Sequence, residues 1–155
     1  MEVGSFDEWY RENYRRIFAA VLVVSGNRAA TADAVDEAFA RAWERWPRVQ
    51  AMRSPAGWTF TVARNQLRRS GRRRSREQAL AASEAIAPEV DVALWETIRL
   101  LPKRERELIA LRYVARLTEP EIATTLRVAP GTVARGLHDA RERLRSMLAP
   151  EEDFA

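Results

Sequence analysis

Arginine carries the most distinctive chemistry in this chain. Seven arginines fall between positions 64 and 76, Asn65 and Gln66 lie among them, and Trp58 and Phe60 precede them. Guanidinium groups pair with phosphates, amide side chains read base edges, and aromatic rings stack on unpaired bases. The pattern favours a segment that binds a nucleic-acid strand, although a solvated, like-charged helix face would give the same run. The candidate contacts are Trp58, Arg64, Asn65, Arg68, Arg69, Arg72 and Arg73.

A second nucleic-acid signal lies in the last third of the chain. Counted from Glu119, the small residue Ala123 is fifth, the turn residue Arg127 ninth and Val133 fifteenth, which is the register of a helix-turn-helix. The final helix, predicted over about residues 130–147, would then lie in the major groove. An ordinary helical hairpin is the alternative. The outer face of that helix offers Thr132, Arg135 and His138 for bases, Arg135 being the best candidate for a guanine edge, and Arg141, Arg143 and Arg145 for phosphates or for intrahelical pairs with Asp139 and Glu142.

Acidic side chains gather on another predicted helix: Asp33, Asp36, Glu37 and Glu44. An acidic surface and a basic one on the same small protein suggest two kinds of partner, a protein and a nucleic acid. Plain solvation explains these carboxylates equally well.

Nothing in the sequence predicts an enzyme. His138 is the only histidine, and there is no cysteine, no glycine-rich phosphate loop, no metal-ligand cluster and no nucleophile beside a base. We therefore expect no catalytic residue, no metal and no cofactor. The lack of cysteine fits a reducing cytoplasm, no signal peptide is visible, and the longest apolar stretch, residues 17–24, is too short for membrane insertion.

Hydrophobic periodicity predicts an all-α protein. The first helix opens at a capping box, Ser5 to Glu8, and ends at Gly26 and Asn27. The second runs from Thr31 to Trp46 and is stopped by Pro47, and the third begins at Ser54 and Pro55. The residues predicted to face inward are Val35, Phe39, Ala42, Trp43 and Trp46 on the second helix, and Trp58, Val62 and Leu67 on the third.

These helices form a predicted first domain, a three- or four-helix bundle over residues 1–76. Small residues without aromatics predict a flexible linker over 77–90, and a second helical domain follows over 91–149. A capping box at Thr118 and Glu121 begins the first helix of the helix-turn-helix, which runs through Leu126. The other inward-facing residues of this domain are Val92, Trp95, Ile98, Leu101, Leu108, Ile109, Leu111 and Tyr113.

Taken in order, these segments resemble the extracytoplasmic function (ECF) sigma factors of the sigma-70 family. Residues 32–43 (ADAVDEAFARAW) and 55–65 (PAGWTFTVARN) are similar to domain two of that family. Residues 101–113 (LPKRERELIALRY) and the motif over 121–144 are similar to domain four. The resemblance covers nearly the whole chain apart from the linker.

The resemblance implies a protein that binds core RNA polymerase and directs promoter-specific initiation in the cytoplasm. Domain two would bind the clamp coiled coil of the largest polymerase subunit through Asp33, Asp36, Glu37, Arg41 and Glu44. The segment from Trp58 to Arg73 would bind the melted −10 promoter element, with Asn65 near a flipped base. Domain four, which would also meet the polymerase flap, would read the −35 element through Arg112, Thr132, Arg135, His138 and Arg141. An anti-sigma factor is a further expected partner.

Several residues depart from the family pattern. Arg127 stands where glycine is usual, and a left-handed conformation there would cost about 1 kcal/mol. Ala129 replaces the usual capping serine, and Gly136 replaces a larger residue on the reading helix, each at a cost of roughly 1 kcal/mol. Asp36 and Arg69 replace the more usual glutamine and aspartate. Arg127, Ala129 and Gly136 put the −35 contacts in question more than the fold, and Asp36 and Arg69 put individual contacts in question.

Two other functions remain open at this point. A stand-alone helix-turn-helix regulator would use only the second domain on duplex DNA, while the first domain dimerises or binds an effector. A sigma-like adaptor would bind polymerase without reading DNA, as the departures at Arg127, Ala129 and Gly136 would allow.

Overall fold

The computed structural model describes residues 4–74 and 91–149, and every regular element in these ranges is helical, which confirms the all-α prediction. The predicted linker, 77–90, and Arg76 lie outside them. No helix in these two ranges is both long enough and apolar enough to cross a membrane. The elements are α1 (Phe6–Ser25), α2 (Arg28–Glu44), α3 (Trp46–Val49), α4 (Pro55–Arg74), α5 (Val92–Arg99), α6 (Lys103–Ile109), a π-helical turn (Ala110–Val114), α7 (Glu119–Leu126) and α8 (Pro130–Leu148).

The two halves of α1 bury different kinds of side chain. Its N-terminal half contributes an aromatic stripe, in which the Trp9 ring lies 4.9 Å from that of Trp46 and 5.3 Å from that of Phe39. Aromatic pairs at such distances stabilise a fold beyond their buried area. In its C-terminal half, four consecutive residues from Ala20 to Val23 are buried, so this half is enclosed on every side.

The start of α1 corrects one prediction, whereas its end confirms another. Ser5 occupies the N-cap position but its side chain makes no capping hydrogen bond, so the predicted capping box is absent. Gly26 ends the helix in the left-handed conformation at φ 67°, as glycine does at many helix ends.

Helix α2 begins and ends earlier than predicted. Asn27 caps it by accepting a hydrogen bond from the backbone N–H of Ala30, which places the start at Arg28 rather than at Thr31. Pro47 is not what ends α2, which already ends at Glu44. It lies in the first turn of the short α3, where proline is tolerated. Trp43, predicted to face inward, is 65% exposed, while Val35, Phe39 and Ala42 of the same predicted stripe are buried.

Helix α4 begins as predicted. Ser54, itself buried, accepts a hydrogen bond from the N–H of Gly57 at 3.0 Å. Phe60 and Ala63 form its buried face. The residues predicted to face inward, Trp58, Val62 and Leu67, are only partly buried.

The helices from α5 to α8 surround a second group of apolar side chains. Leu101, Leu108, Leu111 and Leu137 are buried there, but Tyr113 is half exposed, contrary to the prediction. In the π-helical turn the N–H of Ala115 bonds to the carbonyl of Ala110 at 2.9 Å, five residues back. Such turns are uncommon and often lie at functional sites.

The two groups of helices pack against each other. Helix α1 contacts α5, α6 and the π-helical turn as well as α2 and α4, and α4 contacts α7. The buried residues therefore form one continuous core, from Ile17 of α1 to Ala140 of α8.

Candidate nucleic-acid interface

The predicted reading face of α8 is open to solvent. Thr132, Arg135 and His138 are all exposed, while Val133 and Leu137 of the same helix are buried against the rest of the domain. Because positions three residues apart share a helix face, the three exposed side chains project together. The structure thus brings together the side chains that the helix-turn-helix register predicted.

The turn before α8 adopts the left-handed conformation that was predicted to cost folding free energy. Thr118 and Glu121 form the predicted capping box at the start of α7. Arg127 then adopts the left-handed conformation at φ 56° and ψ 48° without being glycine. Ala129 is the N-cap of α8 and provides no side-chain hydrogen bond. The strained backbone at Arg127 and the missing cap at Ala129, both predicted from the sequence, are therefore present in the turn before α8.

Gly136 has a packing role that the sequence did not reveal. It is half-buried, and a Cβ atom at this position would lie 2.4 Å from Cδ1 of Leu108 on α6. Its small size lets α8 approach α6 closely, which offsets part of the cost of glycine within a helix. Gly136 therefore belongs to the inner face of α8 rather than to its reading face.

The arginines at the end of α8 are engaged within the protein. Nη1 of Arg141 donates to the hydroxyl of Tyr113 at 2.8 Å. Arg143 pairs with Glu105 of α6 at 2.9 Å, and Arg145 pairs with Glu142 one turn earlier. The predicted intrahelical pairing thus holds for Arg145, while Arg143 fastens α8 to α6 instead.

Arg112 lies apart from the exposed face of α8. It is partly buried in the π-helical turn, where its Nη1 donates to the carbonyl of Leu117 at 3.3 Å and its guanidinium lies 6.0 Å from the ring centre of Tyr113. Of the five residues predicted for the −35 element, Thr132, Arg135 and His138 are exposed, and Arg112 and Arg141 are held by neighbours.

Only some of the predicted −10 contacts on α4 are exposed to solvent. Asn65, Arg68 and Arg69 are exposed, and Trp58 is partly buried. Phe60 is 1% exposed within the core, which corrects the expectation that it could stack on a base. The backbone of Arg72 and Arg73 belongs to α4, and their side chains lie outside the described part of the structure.

Arg64 forms an ion pair that was not predicted. Its Nη1 lies 2.5 Å from Oε1 of Glu107 on α6, and Arg104 approaches the other oxygen of the same carboxylate at 3.3 Å. The side chains of Arg64 and Glu107 are 15% and 4% exposed. A residue predicted to bind −10 DNA is therefore paired with a carboxylate of the other domain.

The predicted polymerase face is an exposed surface on α2. Asp33, Asp36, Glu37 and Glu44 are exposed, and Arg41 pairs with Glu37 at 3.1 Å. Trp43 adds a large apolar group to this acidic surface. The exposure of Trp43 was not predicted, because periodicity placed it at the edge of the inward-facing stripe. At that edge a small rotation of the helix determines whether a side chain lies in the core or in solvent.

One carboxylate of this surface is held in place from α1. The hydroxyl of Tyr14 donates to Oδ1 of Asp36 at 2.8 Å. Partial burial, together with this hydrogen bond and the charge of Asp36, raises the pKa of Tyr14 to about 12. The neutral phenol therefore persists into strong alkali and keeps Asp36 oriented.

No cluster of metal-ligating side chains occurs among the residues that the structure describes. The candidate interfaces expose arginines, carboxylates and other polar side chains together with Trp43, a composition that suits binding to charged macromolecules.

Comparison with known families agrees with this arrangement. Residues 9–77 match "Sigma-70 region 2", and residues 91–144 match "Sigma-70, region 4". The ECF RNA polymerase sigma factor SigL of Mycobacterium tuberculosis is 32% identical over 152 residues, which covers 90% of this chain and 86% of SigL. The RNA polymerase sigma-E factor of Streptomyces coelicolor is 23% identical, with 97% of this chain and 90% of that protein covered.

Solved structures share the fold. The sigma factor RpoE of Bartonella quintana, solved with the anti-sigma factor NepR, matches with a TM-score of 0.77 at 22% identity, covering 95% of this chain and 98% of that one. CnrH, solved with the cytosolic domain of CnrY, matches with a TM-score of 0.65 at 20% identity, covering 95% and 89%. The similarity to SigL over most of both chains, with the matches to both sigma regions, shows that this chain belongs to the ECF sigma factors, a non-enzymatic class that binds RNA polymerase and directs promoter-specific initiation of transcription.

Proposed function

We propose that this sigma factor divides its work among three surfaces of described helices. The exposed acidic surface of α2 binds the polymerase clamp coiled coil, the arginine segment of α4 holds the −10 strand, and α8 reads the −35 element. The carrying observation is a difference in charge between helices: α2 exposes four carboxylates, whereas α4 exposes Arg68 and Arg69 and contains no acidic residue, and the predicted reading face of α8 exposes Arg135. Complementary charge of this kind favours specific association with two different partners.

On α2, Trp43 is the proposed centre of the polymerase contact. Tryptophan is enriched among residues that dominate binding energy, and such residues lie within a polar rim. Here the rim would be Glu37, Arg41 and Glu44, with Asp36 and Asp33 about two and three turns before Trp43.

On DNA, the proposed −10 contacts are Trp58, Asn65, Arg68, Arg69, Arg72 and Arg73, joined by Arg64 when it is released from Glu107. The proposed −35 contacts are Thr132, Arg135 and His138, with Arg135 on a guanine edge. Arg112 and Arg141 lie behind this face and would support it through phosphates or through Tyr113.

We place this activity in the cytoplasm, where core polymerase and promoters are found, and expect no catalytic activity and no cofactor. The two domains would span 1–76 and 91–149, joined by residues 77–90. RpoE was solved with the anti-sigma factor NepR and CnrH with the cytosolic domain of CnrY, so a separate anti-sigma factor is a proposed partner of this chain too.

The decisive experiment is transcription in vitro with purified core polymerase and mapping of the transcript starts. We expect promoter-specific transcripts that depend on this chain. Pull-down of core polymerase then tests the α2 surface: Trp43→Ala should weaken binding about 30-fold or more, as loss of a central aromatic does. Glu44→Lys should also weaken binding, whereas Glu8→Lys, the same charge reversal at an exposed position of α1, should not. If the unmodified chain retains no polymerase, the proposed function is wrong.

A further inference from the structure

Two arginines of the second group of helices hold a backbone conformation that few side chains adopt. Arg116 has φ 59° and Arg127 has φ 56°, and they are the residues other than glycine with a positive φ in residues 4–74 and 91–149. The left-handed region is disfavoured for a residue with a Cβ atom, and asparagine, aspartate and histidine are the side chains enriched there. Local conformational preference therefore does not explain an arginine at either position.

Both arginines lie where a helix ends, a place at which glycine is the usual left-handed residue. Arg127 is the C-cap of α7, and the N–H of the next residue donates to the carbonyl of Ala123 at 3.1 Å. Arg116 follows the π-helical turn, and the N–H of the next residue donates to the carbonyl of Leu111 at 3.0 Å. These hydrogen bonds need the left-handed backbone but not the arginine side chain, so glycine would form the same helix ends without strain.

Neither guanidinium group is used within the described part of the chain. Both residues are exposed, and among the described residues neither side chain makes a hydrogen bond or an ion pair. In contrast, Arg141, Arg143 and Arg145 of α8 each bond to a neighbouring side chain. Backbone strain tends to cluster at sites that bind ligands, and an anion is the ligand that an exposed, unpaired guanidinium fits.

The positions of the two arginines match the two sides of a DNA groove. They flank α7, which has eight residues and is therefore about 12 Å long. The major groove is about 12 Å wide, and in a helix-turn-helix the first helix crosses the backbone while the second lies in the groove. With Thr132 and Arg135 of α8 on the bases, the two ends of α7 would lie beside phosphates.

We propose that Arg116 and Arg127 bind phosphates that flank the −35 element, one at each end of α7. The inference rests on the proposed function, because it takes α8 to lie in the −35 groove. Phosphate contacts position a protein on DNA without reading its sequence. The two arginines thus set how tightly α8 is held, while Arg135 sets which sequence it reads. At both positions a lower folding stability accompanies a higher affinity for DNA.

The test compares folding stability with promoter binding in the full-length chain. Holoenzyme is assembled from core polymerase and each variant, and its affinity for a duplex promoter identified by start-site mapping is measured over a series of salt concentrations. Thermal unfolding of each free variant is followed by circular dichroism. Arg116→Gly and Arg127→Gly remove both strain and charge, whereas Arg127→Lys keeps a positive side chain on a left-handed backbone. Arg45→Gly is the matched control, because Arg45 is an exposed helix C-cap with φ −113°, where glycine releases no left-handed strain.

The two glycine variants should become more stable and bind DNA less tightly. Each should raise the unfolding temperature by about 2–4 °C and weaken promoter binding about three- to tenfold at roughly 0.15 M salt, with a slope of log affinity against log salt that falls by about 0.9. The loss should be the same on a promoter with an altered −35 sequence, because a phosphate contact carries no sequence information. Arg127→Lys should keep the parent salt slope, and Arg45→Gly should neither raise the unfolding temperature nor weaken binding.

Three results would contradict the phosphate contacts. Glycine variants that are more stable than the parent, yet keep its affinity and salt slope, would overturn the inference, because their fold is intact and no contact was lost. Arg127→Lys that binds as weakly as Arg127→Gly would overturn it as well, since the lost property would then not be charge. Lower stability in both glycine variants would show that the two arginines are not strained. If holoenzyme with the unmodified chain shows no preference for the mapped promoter, the proposed function is wrong instead.

Discussion

The two helices proposed to touch DNA have similar sequence features but differ in their N-terminal caps and in their exposure to solvent. Both α4 and α8 carry proline in the first turn and arginines further along. Ser54 caps α4 from a buried position, whereas Ala129 leaves α8 without a side-chain cap. The face of α8 is open, whereas part of the α4 face is covered by α6 and α7. Helix α4, which has a side-chain cap, is therefore partly covered by other helices, whereas α8, which lacks one, exposes its predicted reading face.

The largest expected effect concerns the positive charge on α4. Replacing Arg68, Arg72 and Arg73 by alanine should weaken promoter opening by polymerase and reduce the slope of log affinity against log salt by about 0.7 for each lost contact with a single strand. The control is replacement of Arg45, Arg48 and Arg53, three exposed arginines between α2 and α4, which changes net charge equally. A salt slope equal to that of the control would show that the α4 segment does not touch DNA.

The open face of α8 gives the next largest effect. Arg135→Ala should cost about 1–3 kcal/mol at promoters with the preferred −35 sequence, that is, roughly ten- to hundredfold in affinity, because a bidentate contact with a base is lost. Arg145→Ala, on the same helix but paired with Glu142, is the control. Promoter choice that survives Arg135→Ala combined with Thr132→Ala would mean that α8 does not read the −35 element.

The difference in capping predicts a stability gain. Ala129→Ser should stabilise the chain by about 1 kcal/mol, because serine at an N-cap satisfies a free amide of the first turn. Ala134→Ser, at an exposed interior position of α8, should instead destabilise it by a few tenths of a kcal/mol. Chemical denaturation measures both. Equal effects at the two positions would indicate that the start of α8 is already satisfied in another way.

The smallest expected effect concerns Tyr14. Its pKa is raised from 10.0 to about 12, so its contribution to stability is complete below pH 10 and is lost as the pH rises towards 12. An absorbance titration should show a late-ionising phase that belongs to Tyr14. That phase should vanish in Tyr14→Phe and persist in Tyr113→Phe. A late phase that survives in Tyr14→Phe would contradict the assignment.

Local chemistry made many features predictable. The capping box at Thr118 and Glu121, the cap at Ser54 and the left-handed end at Gly26 depend on neighbours along the chain, so residue type and spacing suffice. The helix-turn-helix register follows equally from spacing. Ser5 is the exception, because it has the right residue type but makes no capping hydrogen bond.

The sequence by itself determined the helices, the helix-turn-helix and the position of the charges, since periodicity and capping act over one or two turns. It also contained an unused signal: residues 17–24 are apolar on all faces of α1, and a helix of that kind must be enclosed. What enclosed it was decided by tertiary structure. Which arginines are paired, why position 57 must be glycine and why Trp43 faces solvent depend on contacts between residues far apart in the chain. Arg64 and Glu107 meet because α1 packs against α6 while α4 packs against α7.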